Sequence, residues 1–173
     1  MNSLVKFVYA IGFMTLLLNS CKDKTTEVVT GKPDRDKLIE INKELIIKDR
    51  ERIINYINRK DLNMEESETG LWYNIEIPGS GKIDQGKTVT LEYKMFLLDG
   101  TLCYSSDNDG IMSVSIDRTD MPAGLNEGLQ LLGDGGEAAF IVPSYLGYGI
   151  VGDSNRIPGR SILVYKVKVI SVK

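Results

Sequence analysis

Histidine is absent from the 173-residue chain, so imidazole acid–base catalysis, serine–histidine triads and most zinc sites are excluded. The two cysteines, Cys21 and Cys103, form no C-x-x-C pair, which removes the common dithiol redox and metal motifs. No metal and no cofactor is expected. The residues best placed for chemistry are tyrosines, and one sits in a distinctive setting. In Phe140–Pro158, FIVPSYLGYGIVGDSNRIP, an apolar run stops at Pro143, and Tyr148 then lies between Gly147 and Gly149. A polar loop with Gly152, Asp153 and Asn155 follows, closed by Ile157-Pro158. A strand stopped by proline, a glycine-flanked aromatic and a long loop together build the wall of a cup, and loops carry function more often than strands. A phenol at such a rim is a neutral hydrogen-bond donor; otherwise it is an ordinary loop aromatic. Asp153 and Asn155 read as solvated loop residues.

The elements that must position Tyr148 begin at Leu71. Leu71–Ile77 reads as a strand stopped by Pro78-Gly79-Ser80-Gly81. In Thr88–Leu98, Val89, Leu91, Tyr93, Met95 and Leu97 alternate with polar residues, the period of a half-buried strand. Asp99-Gly100 is a hairpin signal, with Thr101–Ser105 returning and Met112–Ile116 a further strand. Ala123–Leu132 is the one helical candidate here, with Leu125, Leu129 and Leu132 on one face and glycines past its end. Glu137–Val142 and Ser161–Val172 complete the strands. In the last, Ile162, Val164, Lys166 and Lys168 face one way, and Leu163, Tyr165, Val167 and Val169 the other. The sum is an α+β domain, an antiparallel sheet wrapped against one short helix.

Upstream of this domain, 61–173, the sequence divides into three parts. Residues 1–20 have a single charge, Lys6, before an apolar run, Phe7–Leu18, that is shorter than the ~20 residues needed to span a bilayer. That is the layout of a secretory signal. Leu18-Asn19-Ser20-Cys21 resembles a bacterial lipobox, which makes Cys21 the expected site of lipidation and the membrane anchor; an uncleaved anchor, or a plain signal peptide with a chance cysteine, is the alternative. Residues 21–35 read as a flexible tether. Residues 36–60 read as an amphipathic helix, with Leu38, Ile41 and Leu45, and again Ile46, Ile53 and Ile57, at helical spacing. It serves as a spacer or packs on the domain, or, as the sharper alternative, joins a homodimer. With Cys21 acylated, Cys103 has no partner and should be buried. The net charge of −3 favours no nucleic-acid partner.

The order and spacing of several segments resemble the FKBP-type peptidyl-prolyl isomerases over about Thr69 to Lys173. The resembling segments are Leu91-Glu92-Tyr93-Lys94, Leu98-Asp99-Gly100-Thr101, Ala123-Gly124-Leu125-Asn126-Glu127-Gly128-Leu129, Gly135-Gly136-Glu137-Ala138, Val142-Pro143 with Tyr148-Gly149, and Ile157-Pro158 with Leu163-Val164-Tyr165-Lys166-Val167. With the leader and charged helix, the chain is similar to the gliding-motility-associated FKBP lipoproteins of Bacteroidetes. The resemblance implies an FKBP-like fold and a proline pocket formed by Tyr93, Cys103, Tyr104, Met112, Met121, Pro122, Leu125, Tyr148, Ile157 and Tyr165. Tyr148 is implied as the catalytic residue, its hydroxyl donating to the substrate carbonyl, and the others as substrate-binding.

Four positions depart from the family. Cys103-Tyr104 stands for Phe-Asp, Leu125 for an aromatic floor, Met112 for Phe, and Pro122 falls near a backbone N–H donor that proline lacks. The implied function is prolyl cis–trans isomerisation assisting the folding of exported proteins. The implied place is the periplasmic side of a bacterial outer membrane, and the implied partners are proline-containing segments. The alternative is a weakly active or inactive FKBP-fold module that grips unfolded or proline-containing segments as a chaperone or motility component. Prolyl isomerisation makes and breaks no covalent bond, so it asks for no histidine, metal or acid.

Overall fold

The computed structural model describes residues 35–116 and 121–173. The predicted leader, Cys21 and nearly all of the predicted tether lie outside the described residues. Arg35–Lys173 forms one compact unit. In chain order it contains helix α1 (Arg35–Lys60), strands β1 (Glu65–Glu66), β2 (Trp72–Ile77), β3 (Thr88–Leu97) and β4 (Leu102–Ser105), the single-turn helix α2 (Ser106–Asp109), β5 (Met112–Ser115), helix α3 (Ala123–Leu129), β6 (Glu137–Val142), a 3-10 turn at Ser144–Leu146, and β7 (Leu163–Val172). Among the described residues, no helix is long and apolar enough to cross a membrane.

The strands form one antiparallel sheet in the order β1-β2-β6-β7-β3-β4, and β5 also pairs with β3. The long strand β3 is therefore paired along its whole length by β7 on one side. On the other side it is shared: β5 pairs Thr88–Leu91 and β4 pairs Lys94–Phe96. The stretch between them has no ladder partner on that side. The Tyr93 N–H there donates instead to Ser106 Oγ at 2.8 Å, the kind of substitution a buried backbone donor requires. This division of the sheet edge leaves room for a cavity.

The alternation read from sequence sets the two faces. Val89, Leu91, Tyr93, Met95, Leu163, Tyr165, Val167 and Val169 point into the main core with Leu125, Leu129, Leu132 and Phe140. Ile162 and Val164 point to the opposite face, where Ile53 and Ile57 of α1 cover them together with Ile141. The second half of α1 thus packs on the back of the sheet, while Leu38, Ile39, Ile41, Ile46 and Ile47 in its first half are exposed. Each of the two buried isoleucines contributes roughly 1.5–3 kcal/mol of apolar burial.

Helix α3 lies against β6, and its two glycines make that approach feasible. A Cβ at Gly124 would stand 2.6 Å from Val142 Cγ1, and one at Gly128 would stand 2.8 Å from Phe140 Cζ. The helix is shorter than the expected Ala123–Leu132. It ends at Leu129, and residues 130–132 continue as turns, with Leu131 N–H donating to the Gly128 carbonyl at 3.2 Å and Leu132 N–H to the Leu129 carbonyl at 3.0 Å. Leu132 still reaches the core, so the apolar face outlasts the helix that suggested it.

Candidate active site

A cavity of about 230 Å³ opens between β5, the start of α3 and the loop after β6, lined by Met112, Ser113, Val114, Ser115, Met121, Pro122, Leu125, Tyr148 and Tyr165. Each wall has a local cause. β5 brings Met112 and Val114 inward because it alternates along the half of β3 that β4 leaves free. Pro122 opens α3 with φ −53°, the angle its ring imposes, and places Leu125 one turn on as the floor. Tyr165 lies on β7 at the centre of the sheet, opposite Met95 on one side and Phe140 on the other. The volume is below the ~300–1,000 Å³ of pockets for drug-sized ligands and suits a single residue-sized group.

Tyr148 follows the 3-10 turn, whose base is held from far away in sequence. The Ser144 N–H donates to Asp49 Oδ2 at 3.1 Å, and the Ser144 hydroxyl donates to the same oxygen. Asp49, on α1, is 1% exposed. The Ser144 carbonyl in turn accepts from Gly147 N–H at 3.2 Å and from Gly149 N–H at 2.9 Å, the two glycines that bracket Tyr148. Helix α1 therefore anchors the turn that presents the phenol.

On the other flank, Asp153 organises the loop. Its Oδ1 accepts from the N–H groups of Asn155 at 2.9 Å and Ile157 at 2.8 Å, and its Oδ2 accepts from the Tyr104 hydroxyl. Asn155 Nδ2 donates to the Tyr104 oxygen at 3.2 Å. Arg156 lies over the Tyr104 ring at 4.6 Å and reaches Asp109 at 2.7 Å and the Cys103 carbonyl at 3.0 Å. The expectation that Asp153 is merely solvated is thus corrected, since it is half-buried and ties β4 to the loop, while Asn155 is exposed as expected. A polar loop residue that folds its carboxylate back onto N–H groups two and four residues on has the same sequence appearance as a solvated one.

The charges around the site favour neutral phenols. Burial pushes the Tyr148 hydroxyl above the ordinary tyrosine value, helped by the negative Asp153 and by Tyr104. Burial holds Tyr165 well above it, helped by Tyr148. Burial works to raise Asp153, but the hydrogen bonds from Tyr104, Ile157 and Asn155 outweigh it and leave its carboxyl below the usual range. Burial, then Asp153, raises the Cys103 thiol, consistent with an inert buried cysteine; it is free and buried.

Of the ten residues expected from sequence, six line the cavity: Met112, Met121, Pro122, Leu125, Tyr148 and Tyr165. Tyr93, Cys103 and Ile157 sit in the adjoining core, and Tyr104 packs against that core while its hydroxyl holds Asp153. Ser113, Val114 and Ser115 line the wall without having been expected. The strand alternation around Met112 could have indicated Val114, but nothing local marks the serines.

Comparison with known proteins agrees with this architecture. The family model for FKBP-type peptidyl-prolyl cis-trans isomerases matches residues 79–170. The probable FKBP-type peptidyl-prolyl cis-trans isomerase FkpA of Neisseria meningitidis serogroup B is 38% identical over 105 residues, 60% of this chain and 38% of that protein. The outer membrane protein MIP of Legionella longbeachae is 34% identical over 106 residues, 61% of this chain and 45% of that one. The crystal structure of FkpA from Escherichia coli superposes with a TM-score of 0.65 at 27% identity, covering 79% of this chain and 64% of that chain. The matches to both curated relatives span less than half of their lengths. Together, fold, family model and relatives place this chain in the family of FKBP-type peptidyl-prolyl cis-trans isomerases.

Proposed function

We propose that the protein is a peptidyl-prolyl cis–trans isomerase that binds Xaa-Pro segments of exported polypeptides in the cavity under Tyr148. The observation that carries this reading is the cavity itself: residue-sized, walled by Met112, Val114, Met121, Pro122 and Leu125, and edged by the phenols of Tyr148 and Tyr165. Burying a pyrrolidine ring there contributes about 0.8 kcal/mol per methylene.

The barrier to rotation is amide resonance, about 18–20 kcal/mol, and the uncatalysed step takes tens to hundreds of seconds. Reaching tens of milliseconds needs roughly 4–5 kcal/mol of stabilisation confined to the transition state. The planar amide is the more dipolar form, because resonance places negative charge on oxygen and positive charge on nitrogen. Moving it from water into an apolar cavity disfavours that form relative to the twisted one. Tyr148, kept protonated by its surroundings, donates to a backbone carbonyl of the bound segment and fixes how it lies. Tyr93, Cys103, Tyr104 and Ile157 support the cavity from behind or beside it.

The anchoring belongs to the same proposal. The leader pattern and the lipobox-like Leu18–Cys21 support export and lipidation at Cys21. One relative's name as an outer membrane protein supports an envelope location, on the periplasmic side of the outer membrane. A homodimer through α1 and a part in gliding motility rest on the sequence reading alone.

The test is a protease-coupled assay of the full chain on Xaa-Pro peptides, with Tyr148→Phe beside it. The expected result is acceleration by the wild type, reduced about tenfold by the substitution, at the scale of one hydrogen bond of ~1–1.5 kcal/mol. No acceleration at micromolar protein, with binding to unfolded chains retained, would replace the enzyme with a binding module.

A further inference from the structure

Two carboxylates and one guanidinium meet beside the Tyr148 loop, and their charges do not balance. Arg156 commits its guanidinium to Asp109 at 2.7 Å, to the Cys103 carbonyl at 3.0 Å and to the face of the Tyr104 ring. Among the described residues it forms no ion pair with Asp153. Asp153 is met by neutral donors alone: the N–H groups of Asn155 and Ile157 and the Tyr104 hydroxyl. These donors hold its carboxyl below the usual range, so it is ionised at neutral pH, and none of them cancels its charge. Lys94 is taken by Asp107, at 2.9 Å. One negative charge is therefore left uncompensated.

That charge acts on the cavity. Asp153 follows Tyr148 by five residues, and the Gly152 N–H donates back to the Tyr148 carbonyl at 3.2 Å. The turn is tight, since a Cβ on Gly152 would meet the Ile157 carbonyl oxygen. Asp153 is also the charged group that raises the phenol of Tyr148, and Tyr148 lines the cavity.

We propose that Asp153 is a specificity-determining residue, whose uncompensated charge selects Xaa-Pro segments with lysine or arginine at Xaa and disfavours those with glutamate or aspartate there. The proposal rests on the prolyl-isomerase reading and deepens it by naming a substrate class. With the Tyr148 hydroxyl on a backbone carbonyl of the segment, the backbone passes beside that oxygen, and the residue before the proline lies within a side-chain length of the loop. A lysine ammonium there stays in water yet lies within about one Debye length, ~10 Å, of the carboxylate. The effect acts through space, so Asp153 gives up none of its hydrogen bonds. Between partly solvated charges such an interaction is worth about two- to fivefold per unit charge. Lysine against glutamate spans two units, or about five- to twentyfold. The charge is felt equally by the planar and the twisted amide, so the preference appears in KM rather than kcat.

The deciding experiment measures kcat and KM of the full chain on acetyl-Ala-Xaa-Pro-Phe p-nitroanilide peptides with lysine, leucine or glutamate at Xaa. Wild type, Asp153→Asn and Arg156→Gln are compared. Asparagine keeps an oxygen for the two N–H groups and an amide that donates to the Tyr104 oxygen, so the charge is removed with the loop's bonding pattern kept. Wild type should favour lysine over glutamate by about five- to twentyfold in kcat/KM at low salt, and about 0.5 M NaCl should shrink that ratio. Asp153→Asn should bring it to about twofold or less. Arg156→Gln, which uncovers the charge of Asp109, should raise it. A loosened loop lowers all three peptides together and leaves the ratio as it was. A wild type without the preference overturns the proposal, as does a preference that Asp153→Asn retains or that salt does not weaken. Should Asp153→Asn fail to fold, an Arg156→Gln ratio that stays level or falls overturns it. In each of these cases acceleration of the leucine peptide leaves the isomerase reading intact. No acceleration of any peptide defeats that reading and the proposal with it.

Discussion

Replacing Asp49, on a helix outside the matched family region, should weaken both the fold and the site. Its Oδ2 accepts the Ser144 N–H and hydroxyl, and it is 1% exposed, as Ser144 is at 7%. Asp49→Ala leaves two nearly buried donors without an acceptor. Each unmet donor costs ~1–3 kcal/mol, partly offset because the carboxylate no longer has to be desolvated. Arg52, 3.7 Å from Oδ1 and more than half exposed, adds little. A net loss of about 2–3 kcal/mol follows, which for a unit of this size lowers Tm by roughly 6–12 °C. Asp49→Asn keeps an acceptor oxygen and should lose about 1 kcal/mol. The effect should also be local. The Gly147 and Gly149 amides bond to the Ser144 carbonyl, so their hydrogen exchange should quicken beyond what the change in global stability explains. Differential scanning calorimetry and amide exchange by NMR provide the two measurements. An Asp49→Ala protein that melts within 2 °C of wild type, or whose Gly147 and Gly149 exchange tracks only global unfolding, would refute the coupling of α1 to the Tyr148 loop.

Three further outcomes follow from the same geometry. Gly152→Ala should cost about 2–4 kcal/mol and impair isomerisation, because φ is +74° and the added Cβ would meet the Ile157 carbonyl oxygen at 2.1 Å, a clash added to the ~1–2 kcal/mol of left-handed backbone; urea titration checks it, and an unchanged midpoint contradicts it. Ile53→Ala, deleting a fully buried side chain on the back of the sheet, should cost about 2–5 kcal/mol with kcat retained at temperatures where the variant is folded; thermal melts and the coupled assay read both. The isomerisation rate should be level from about pH 6 to 9, since the phenols of Tyr148 and Tyr165 are raised above their ordinary value of ~10 and no histidine exists to titrate. In stability the same shift has a definite sign: the folded phenols hold their protons more tightly than the unfolded ones. Their contribution is complete below pH ~10 and is lost as pH rises through the folded values; unfolding followed at pH 8, 10 and 11 checks the direction.

Much of this was legible in the chain because the two long strands, β3 and β7, carry period-2 alternation. The faces assigned to Leu163, Tyr165, Val167 and Val169 and to Ile162 and Val164 are those found. The pairing order was not legible: that β7 lies between β3 and β6 depends on long-range packing, which local pattern does not encode. Tyr148 announced itself through its flanking glycines. Asp49 did not, because a lone acid amid the charged residues of a long helix looks like a solvated one until the turn at Ser144 is folded against it. Tyr165 looked like a core aromatic by pattern alone, and the folded structure shows it both fully buried and part of the cavity lining. The short helix α2 escaped notice because its Ser-Asp-Asn-Asp composition is that of a turn.

The most direct measurement is the cis–trans exchange rate of a short Xaa-Pro peptide, followed by two-dimensional NMR exchange spectroscopy with a substoichiometric amount of the full chain. The account predicts exchange brought from about 10⁻² s⁻¹ into the range where cross-peaks grow within a second, with the cis to trans ratio unchanged. Exchange that stays at the uncatalysed rate, even with equimolar protein, would contradict it.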